Sequence, residues 1–79
     1  MSALIEHHPR IWIAANRMSG QPCIRGTRVP VSMIVRLLGR GETLADVLEA
    51  YPSITAEDVR AAQDFAADYV ENAAAIAAA

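Results

Sequence analysis

The stretch from Ser19 to Val31, SGQPCIRGTRVPV, separates two parts of the chain that have different hydrophobic patterns. Its two glycines, two prolines and two arginines give it a composition typical of turns, and it holds the single cysteine of the chain. Before it, Ile11–Ala15 predicts a short extended segment, and within it Cys23–Val29 predicts a second, because β-branched residues favour strands. We expect the two segments to pair as a small hairpin or, alternatively, each to pair with a second chain.

From Pro30 onward the apolar residues recur with helical spacing. A first helix is predicted after Pro30, which suits the first helical turn, and Gly39–Gly41 ends it. Thr43, with Asp46 three residues later, predicts the start of a second helix through a capping box, and Pro52 stops that helix. The apolar stripes are Val31, Ile34, Val35 and Leu38 for the first helix and Leu44, Val47, Leu48 and Tyr51 for the second.

A third helix is predicted to begin after Thr55. Its expected buried side consists of Val59, Ala62, Ala66, Tyr69, Val70, Ala73 and either Ile76 or Ala77. The opposite side carries the carboxylates of Glu57, Asp64, Asp68 and Glu71, which are typical of a solvated helix face. The fold is therefore predicted to be mainly α, with a short N-terminal extended arm or β-hairpin followed by a three-helix, helix-turn-helix-like bundle.

The length of 79 residues predicts a single domain. We expect an extended arm over residues 1–30, the three-helix unit over 31–72 and an Ala-rich tail over 73–79. One cysteine excludes an internal disulfide, and no apolar run approaches the roughly 20 residues of a membrane span. A cytoplasmic protein with no membrane association is expected.

Charge is divided unequally along the chain. Residues 1–41 hold six arginines and one acid, a net of +5, whereas residues 42–79 hold eight acids and one arginine, a net of −7. Such a division is typical of a protein with a polyanionic partner, and equally of two halves that attract each other within a dimer. Every basic side chain is an arginine, which favours bidentate pairing with carboxylate or phosphate.

Three kinds of reactive site fit the sequence poorly. Gly20 and Gly26 are separated by five residues instead of four, and no lysine follows, so a phosphate-binding loop is excluded. Cys23 has no nucleophile context and is interpreted as a small core residue. His7 and His8 make a poor metal cage without further ligands and are interpreted as a solvated pair. No enzymatic activity, catalytic residue, cofactor or metal is expected.

The arginines of the arm are the better candidates for a binding site. Arg25 and Arg28 would point to opposite faces of a regular strand, and a bulge or kink at Gly26 would bring them to one side. With Arg17 and Thr27 they are predicted to contact DNA or another anion. The alternative is that Arg25 or Arg28 pairs internally with an acid of the first two helices, such as Asp46 or Glu49. Docking the third helix in a DNA groove is disfavoured, because two carboxylates occupy its first turn.

Four spaced motifs follow one another between residues 10 and 70. The first is Gly-x-Pro-x-Ile-x-Gly-Thr-Arg from Gly20 to Arg28, and the second is Gly41 at the end of the first predicted helix. The third is a Leu-rich helix that ends in Tyr-Pro, with Leu48, Tyr51 and Pro52. The fourth is a Thr-x-Glu-Asp helix, with Thr55, Glu57, Asp58 and, further on, Ala62. In this order they resemble the bacterial and archaeal Domain of Unknown Function 433 family. Members often have Asp-Pro where this chain has Ala14–Ala15.

The resemblance implies a helix-turn-helix-like, usually dimeric protein. Members often look like VapB-type antitoxins, which are encoded beside a PIN-like ribonuclease toxin, neutralise it by binding and can repress their own operon. We therefore expect a homodimeric type II antitoxin, with a DNA-binding regulator that has no toxin partner as the alternative. The expected dimerisation residues are Ile11, Trp12 and Ile13, and the expected toxin-binding residues are Tyr69, Val70 and Ile76.

Overall fold

The N-terminal part of the chain forms a small antiparallel hairpin. The computed structural model describes residues 8–14 and 20–78, with side chains described as far as residue 73. Strand β1 (Ile11–Trp12) pairs with β2 (Cys23–Ile24), so that Ile11 lies opposite Ile24 and Trp12 opposite Cys23. The predicted hairpin is thus confirmed, with strands shorter than the two predicted segments, and the pairing is within one chain.

A second tight reversal follows β2 and sends the chain into the first helix. The Thr27 backbone N–H donates to the Ile24 carbonyl at 3.0 Å, and Gly26 has a φ of +78° at the third position of this turn. A type II turn requires a positive φ at that position, which glycine adopts without strain. The Ile24 N–H then donates to the Val29 carbonyl at 3.0 Å. The kink predicted at Gly26 is therefore a complete turn and not a bulge within a strand.

Three helices follow: α1 (Val31–Gly39), α2 (Leu44–Ala50) and α3 (Ala56–Ala78). Helix α1 begins directly after Pro30 and ends in a Schellman motif, in which Glu42 N–H donates to the Leu37 carbonyl and Gly41 N–H to the Leu38 carbonyl, both at 3.1 Å. Gly41 supplies the positive φ, +96°, that this motif needs. The Ala-rich tail continues α3 as a helix through Ala78.

Reciprocal hydrogen bonds fix the starts of α2 and α3. The Asp46 N–H donates to the Thr43 hydroxyl at 3.1 Å, and the Thr43 N–H donates to the Asp46 carboxylate at 3.0 Å. Thr55 and Asp58 exchange the same two bonds at 3.0 and 3.2 Å. Both helices therefore begin with a capping box, which satisfies backbone donors that a helix start would otherwise leave open.

The core lies where the hairpin and the three helices meet. Its buried members are Ile11, Ile24, Val29, Val31, Ile34, Val47, Ile54, Val59, Ala62 and Phe65. Phe65, only 2% exposed, is the largest of the fully buried side chains. The predicted buried side of α3 included Ala66 but omitted Phe65. Leu44, Tyr69 and Val70 were expected to be buried and are exposed.

Helix lengths explain the exposure of the later turns of α3. Its 23 residues span about 35 Å, whereas the 9 residues of α1 span about 14 Å. One face of α3 therefore cannot be covered by α1 along its whole length. Within the described ranges, no helix is long and apolar enough to cross a membrane.

Candidate functional site

An open apolar groove lies between α1 and α3. Its volume is about 510 Å³. Val31 and Val35 line it from α1, while Phe65, Ala66, Tyr69 and Val70 line it from α3. The helical spacing of these residues places them on facing sides of the two helices, and the small side chain of Ala66 leaves the space between them unfilled. We refer to this surface as the α1–α3 groove.

Two large apolar side chains of the groove are turned toward solvent. Tyr69 is 58% exposed and Val70 is 64% exposed. The Tyr69 ring lies with its centroid 6.4 Å from that of the buried Phe65, one helical turn earlier. An exposed aromatic side chain backed by a buried one is a rigid apolar surface for a partner to cover. Tyr69 and Val70, two of the predicted toxin-binding residues, are thus brought together here; Ile76 lies outside the described side chains.

Polar groups of α1 border the same groove. Ser32 and Arg36 line it, and the Ser32 hydroxyl donates to the Gln21 side-chain oxygen at 3.4 Å. Arg36 is exposed and, in the described part of the chain, forms no ion pair. The groove therefore offers an apolar floor with a cation at its rim, which suits a partner that carries a carboxylate beside apolar side chains.

The predicted anion-binding arginines lie on the turn after β2. Arg25 and Arg28 are exposed, and neither makes an ion pair with a described acid, so the alternative pairing with Asp46 or Glu49 is not found. The Arg25 Nε donates to the Pro9 carbonyl at 2.6 Å. This bond fixes the root of the guanidinium group. Arg17 lies outside the described residues.

Thr27 stabilises this turn from within. Its hydroxyl donates to the Ile24 carbonyl at 2.8 Å and accepts from the Val29 N–H at 3.0 Å. Both bonds are made to the backbone of the turn, so the hydroxyl predicted to contact an anion is already engaged. Thr27 consequently positions Arg25 and Arg28 instead of extending the surface that they offer.

The segment His8–Arg10 is fastened to α3 by contacts that sequence reasoning missed. Arg10 donates to Glu57 at 2.7 Å and to Asp58 at 3.0 Å. The His8 Nε2 lies 2.9 Å from an oxygen of Asp68, and His8 is 3% exposed. The interpretation of His8 as a solvated residue is therefore wrong, and the acidic face of α3 is only partly free. His7 lies outside the described residues.

These contacts left no recognisable signal in the sequence. They join residues separated by 47 to 60 positions, so no local spacing connects them. The one available hint is the opposite sign of the two halves of the chain, which Arg10 and its two carboxylates satisfy within a monomer. Charge totals could indicate such an attraction, but they could not select Arg10 among the six arginines of residues 1–41.

The remaining candidates are divided between core and surface. Cys23 is buried, with its sulfur 3.6 Å from the Gln21 carbonyl oxygen, in agreement with its interpretation as a small core residue. Of the predicted dimerisation residues, Ile11 is fully buried in the core of its own chain and leaves a partner no surface to contact. Trp12 is half-buried and Ile13 is exposed.

Comparisons with known proteins agree with the architecture. A family model described as a protein of unknown function, DUF433, matches residues 11–66. The crystal structure of a DUF433 member from Anabaena variabilis, at 2.00 Å resolution, superposes with a TM-score of 0.76 and is 31% identical, over 90% of this chain and 70% of that one. The uncharacterised protein y4eO of Sinorhizobium fredii is 41% identical over 49 residues, which are 62% of this chain. This alignment covers only 22% of y4eO. The family match spans more than half of the chain and the fold agrees with a solved member: the chain belongs to the DUF433 family.

Proposed function

We propose that this DUF433 protein is the antitoxin of a type II toxin–antitoxin pair, a non-enzymatic, cytoplasmic module that binds and neutralises a PIN-like ribonuclease. The observation that carries the proposal is the α1–α3 groove, with Tyr69 and Val70 exposed beside buried Phe65. Neighbouring apolar side chains of this size, left open to solvent, are typical of a surface that a protein partner covers.

The groove provides the means of binding. An apolar side chain of the toxin fills the space above Ala66, and the toxin covers Tyr69 and Val70. Burial of each such side chain contributes on the order of 1.5–3 kcal/mol before the cost of association. Arg36 at the rim pairs with a carboxylate of the toxin and sets the orientation of the complex.

Co-expression with the product of the adjacent gene tests this proposal. The wild-type chain is expected to relieve growth inhibition by that product and to copurify with it, whereas Tyr69→Ala combined with Val70→Ser abolishes both effects. Gln63→Ala, an exposed change on α3 away from the groove, is the matched control and should behave as wild type. If the wild-type chain neither copurifies with the adjacent product nor relieves its toxicity, the proposal is wrong.

Homodimer formation is part of the same proposal. Ile13, Met33 and Leu44 are large exposed apolar residues that do not line the α1–α3 groove. Of the predicted dimer surface, Ile11 is buried in the core, Trp12 is half-buried and Ile13 is exposed, so we assign the dimer contact to Ile13 and the exposed part of Trp12. Sedimentation equilibrium should give twice the mass of the chain for wild type and a lower mass for Ile13→Ser. A monomeric wild-type protein would contradict the proposed homodimer.

A DNA-binding regulator is the second candidate, and the exposed, acid-free arginines of the turn favour it. Arg25 and Arg28 are available to phosphates, and Thr27 holds the turn that carries them. Arg17 is a further phosphate contact in this proposal. The first turn of α3 is unsuited to docking in a groove of DNA, because the two negative charges of Glu57 and Asp58 exceed the single positive charge of Arg10.

A salt titration of binding to the chain's own promoter tests this candidate. Each phosphate contact steepens the dependence of log K on log salt by about 0.9. Arg25→Ala with Arg28→Ala should therefore reduce the slope by about 2, whereas Arg60→Ala, an exposed arginine on acidic α3, should leave it unchanged. If the wild-type chain does not bind its promoter at low salt, the DNA-binding regulator is excluded. The antitoxin proposal does not depend on this result, because co-expression with the adjacent gene product tests it separately.

A further inference from the structure

Three potential metal-ligand atoms converge where the N-terminal segment meets α3. The His8 imidazole nitrogen and one carboxylate oxygen each from Asp64 and Asp68 all lie within 4.8 Å of one another. We propose that His8, Asp64 and Asp68 bind one divalent transition-metal ion of the Zn²⁺ class, which fastens the segment His8–Arg10 to α3. This site is separate from the α1–α3 groove and does not depend on the proposed function.

The backbone places the three ligands before any metal arrives. Asp64 and Asp68 are four residues apart on α3, so their side chains leave the same face of the helix. His8 comes from the segment before β1 and is held there by two contacts on its C-terminal side. Its carbonyl accepts a bond from the N–H of the fully buried Ile11 at 2.9 Å, and Arg10 is paired to the first turn of α3.

Packing also fixes the imidazole ring. The ring of Phe65 meets that of His8 edge to face, with centroids 5.1 Å apart and planes at 78°. Phe65 stands on α3 between the two aspartates, so the helix that supplies two ligands also orients the third. A ligand already held in one orientation loses little conformational entropy on binding, which raises affinity.

Charge and exposure favour a cation at this position. Two carboxylates four residues apart on a helix repel each other. Within the described residues, neither is paired with an arginine, and Asp64 has no ion pair at all. His8 is 3% exposed, the Asp68 side chain is 40% exposed and Asp64 is exposed, so an ion would be held by nitrogen from the interior and by oxygen from the surface.

The donor set selects the class of metal. An imidazole with two carboxylates suits Zn²⁺ and its transition-metal neighbours, whereas Mg²⁺ and Ca²⁺ prefer oxygen ligands throughout. Three protein ligands with solvent on the open side are also the usual set of a Zn²⁺ site that keeps one position for water. The His8–Asp68 contact of 2.9 Å is shorter than the roughly 3.3 Å between two ligands of a tetrahedral Zn²⁺. A small rotation of the Asp68 side chain therefore admits the ion.

Calorimetric titration of the untagged, EDTA-stripped full chain with ZnCl₂ tests the site. We expect one Zn²⁺ per chain, a rise in Tm of at least about 4 °C at saturation, and no comparable effect of MgCl₂. Co²⁺ should give visible absorption bands that Zn²⁺ abolishes. Asp64→Asn should weaken Zn²⁺ binding by at least about tenfold, since even residues that only support a metal ligand have effects of this size. Because Asp64 makes no ion pair with a described residue, this variant is expected to fold normally.

Two matched variants separate this site from adventitious binding. Glu71→Gln removes an exposed carboxylate from the same helix, and His7→Ala removes the neighbouring imidazole; both should bind Zn²⁺ as wild type does. Any of three results would overturn the proposal: no Zn²⁺ binding by the wild-type chain, equal affinity in Asp64→Asn, or loss of binding in His7→Ala.

Discussion

Replacing Phe65 by alanine is expected to lower the free energy of unfolding by about 3 kcal/mol. Truncation of a buried phenylalanine costs about 3–5 kcal/mol, and the lower end applies because one side of this ring borders the open α1–α3 groove, where water can enter the space left behind. The loss is a large share of the roughly 5–15 kcal/mol that stabilises a typical domain. At roughly 4–8 °C per kcal/mol for a chain of this size, Tm should fall by about 12–24 °C.

Urea unfolding monitored by circular dichroism measures this loss, with two variants as references. Phe65→Leu keeps most of the volume and should cost less than about 1.5 kcal/mol. Tyr69→Ala, one turn later and 58% exposed, should cost at most about 0.5–1 kcal/mol. Equal losses in Phe65→Ala and Tyr69→Ala, or a loss under about 1 kcal/mol in Phe65→Ala, would refute the placement of Phe65 in the buried core.

Three further predictions concern turns and caps. Bonds from the backbone N–H and the hydroxyl of Thr43 hold the pKa of Asp46 below its ordinary value of 3.8. The stability that this interaction contributes is therefore present above pH 3.8 and is lost as pH falls through the lower folded-state pKa. The wild-type chain should have a higher Tm than Asp46→Asn above pH 3.8, and this difference should disappear in the acidic range. A difference in Tm that does not change with pH would contradict the prediction. Gly41→Ala should lower the free energy of unfolding by about 1–2 kcal/mol because its φ is +96°, whereas Gly39→Ala, inside α1 with equal room for a side chain, should be neutral or stabilising; similar values in urea titrations would show that φ is not the cause. Thr27→Val should cost about 1–2 kcal/mol by leaving the Val29 N–H without its acceptor, and Thr27→Ser should retain most of the stability; equal losses in the two variants would contradict a role for the hydroxyl.

The helix boundaries were predictable because their determinants are local. Thr43 and Asp46 stand three residues apart, and the bonds that they exchange in the structure are those that the spacing predicts. Thr55 was predicted to precede α3, and in the structure it exchanges the same two bonds with Asp58, three residues later. Gly41 ends α1 through bonds that span only five residues. In each case the decisive interaction lies within a window that a sequence pattern can cover.

The buried face of α3 was predicted less well because alanine carries little information. Ala62, Phe65, Ala66 and Tyr69 all fit a helical stripe, and the rotation of the helix is decided by what α1 and the hairpin offer on the other side. The structure places Phe65 inward and leaves Tyr69 exposed. Contacts of His8 and Arg10 with α3 depend entirely on the tertiary fold. The sequence could therefore indicate Arg25 and Arg28 as exposed arginines, but it could not indicate that His8, Asp64 and Asp68 lie together.

The contacts between His8–Arg10 and α3 also order the events of biosynthesis. Translation delivers Arg10 long before Glu57 and Asp58, its partners 47 and 48 residues later. Until residues near Phe65 have been made, β1 lacks the helix α3 that it contacts, and the core around Ile11 is incomplete. Contacts this distant along a chain form late in folding, after the loop between them has closed. A nascent chain of this protein therefore keeps its N-terminal segment undocked until α3 has been made, and docking of that segment marks the completed fold.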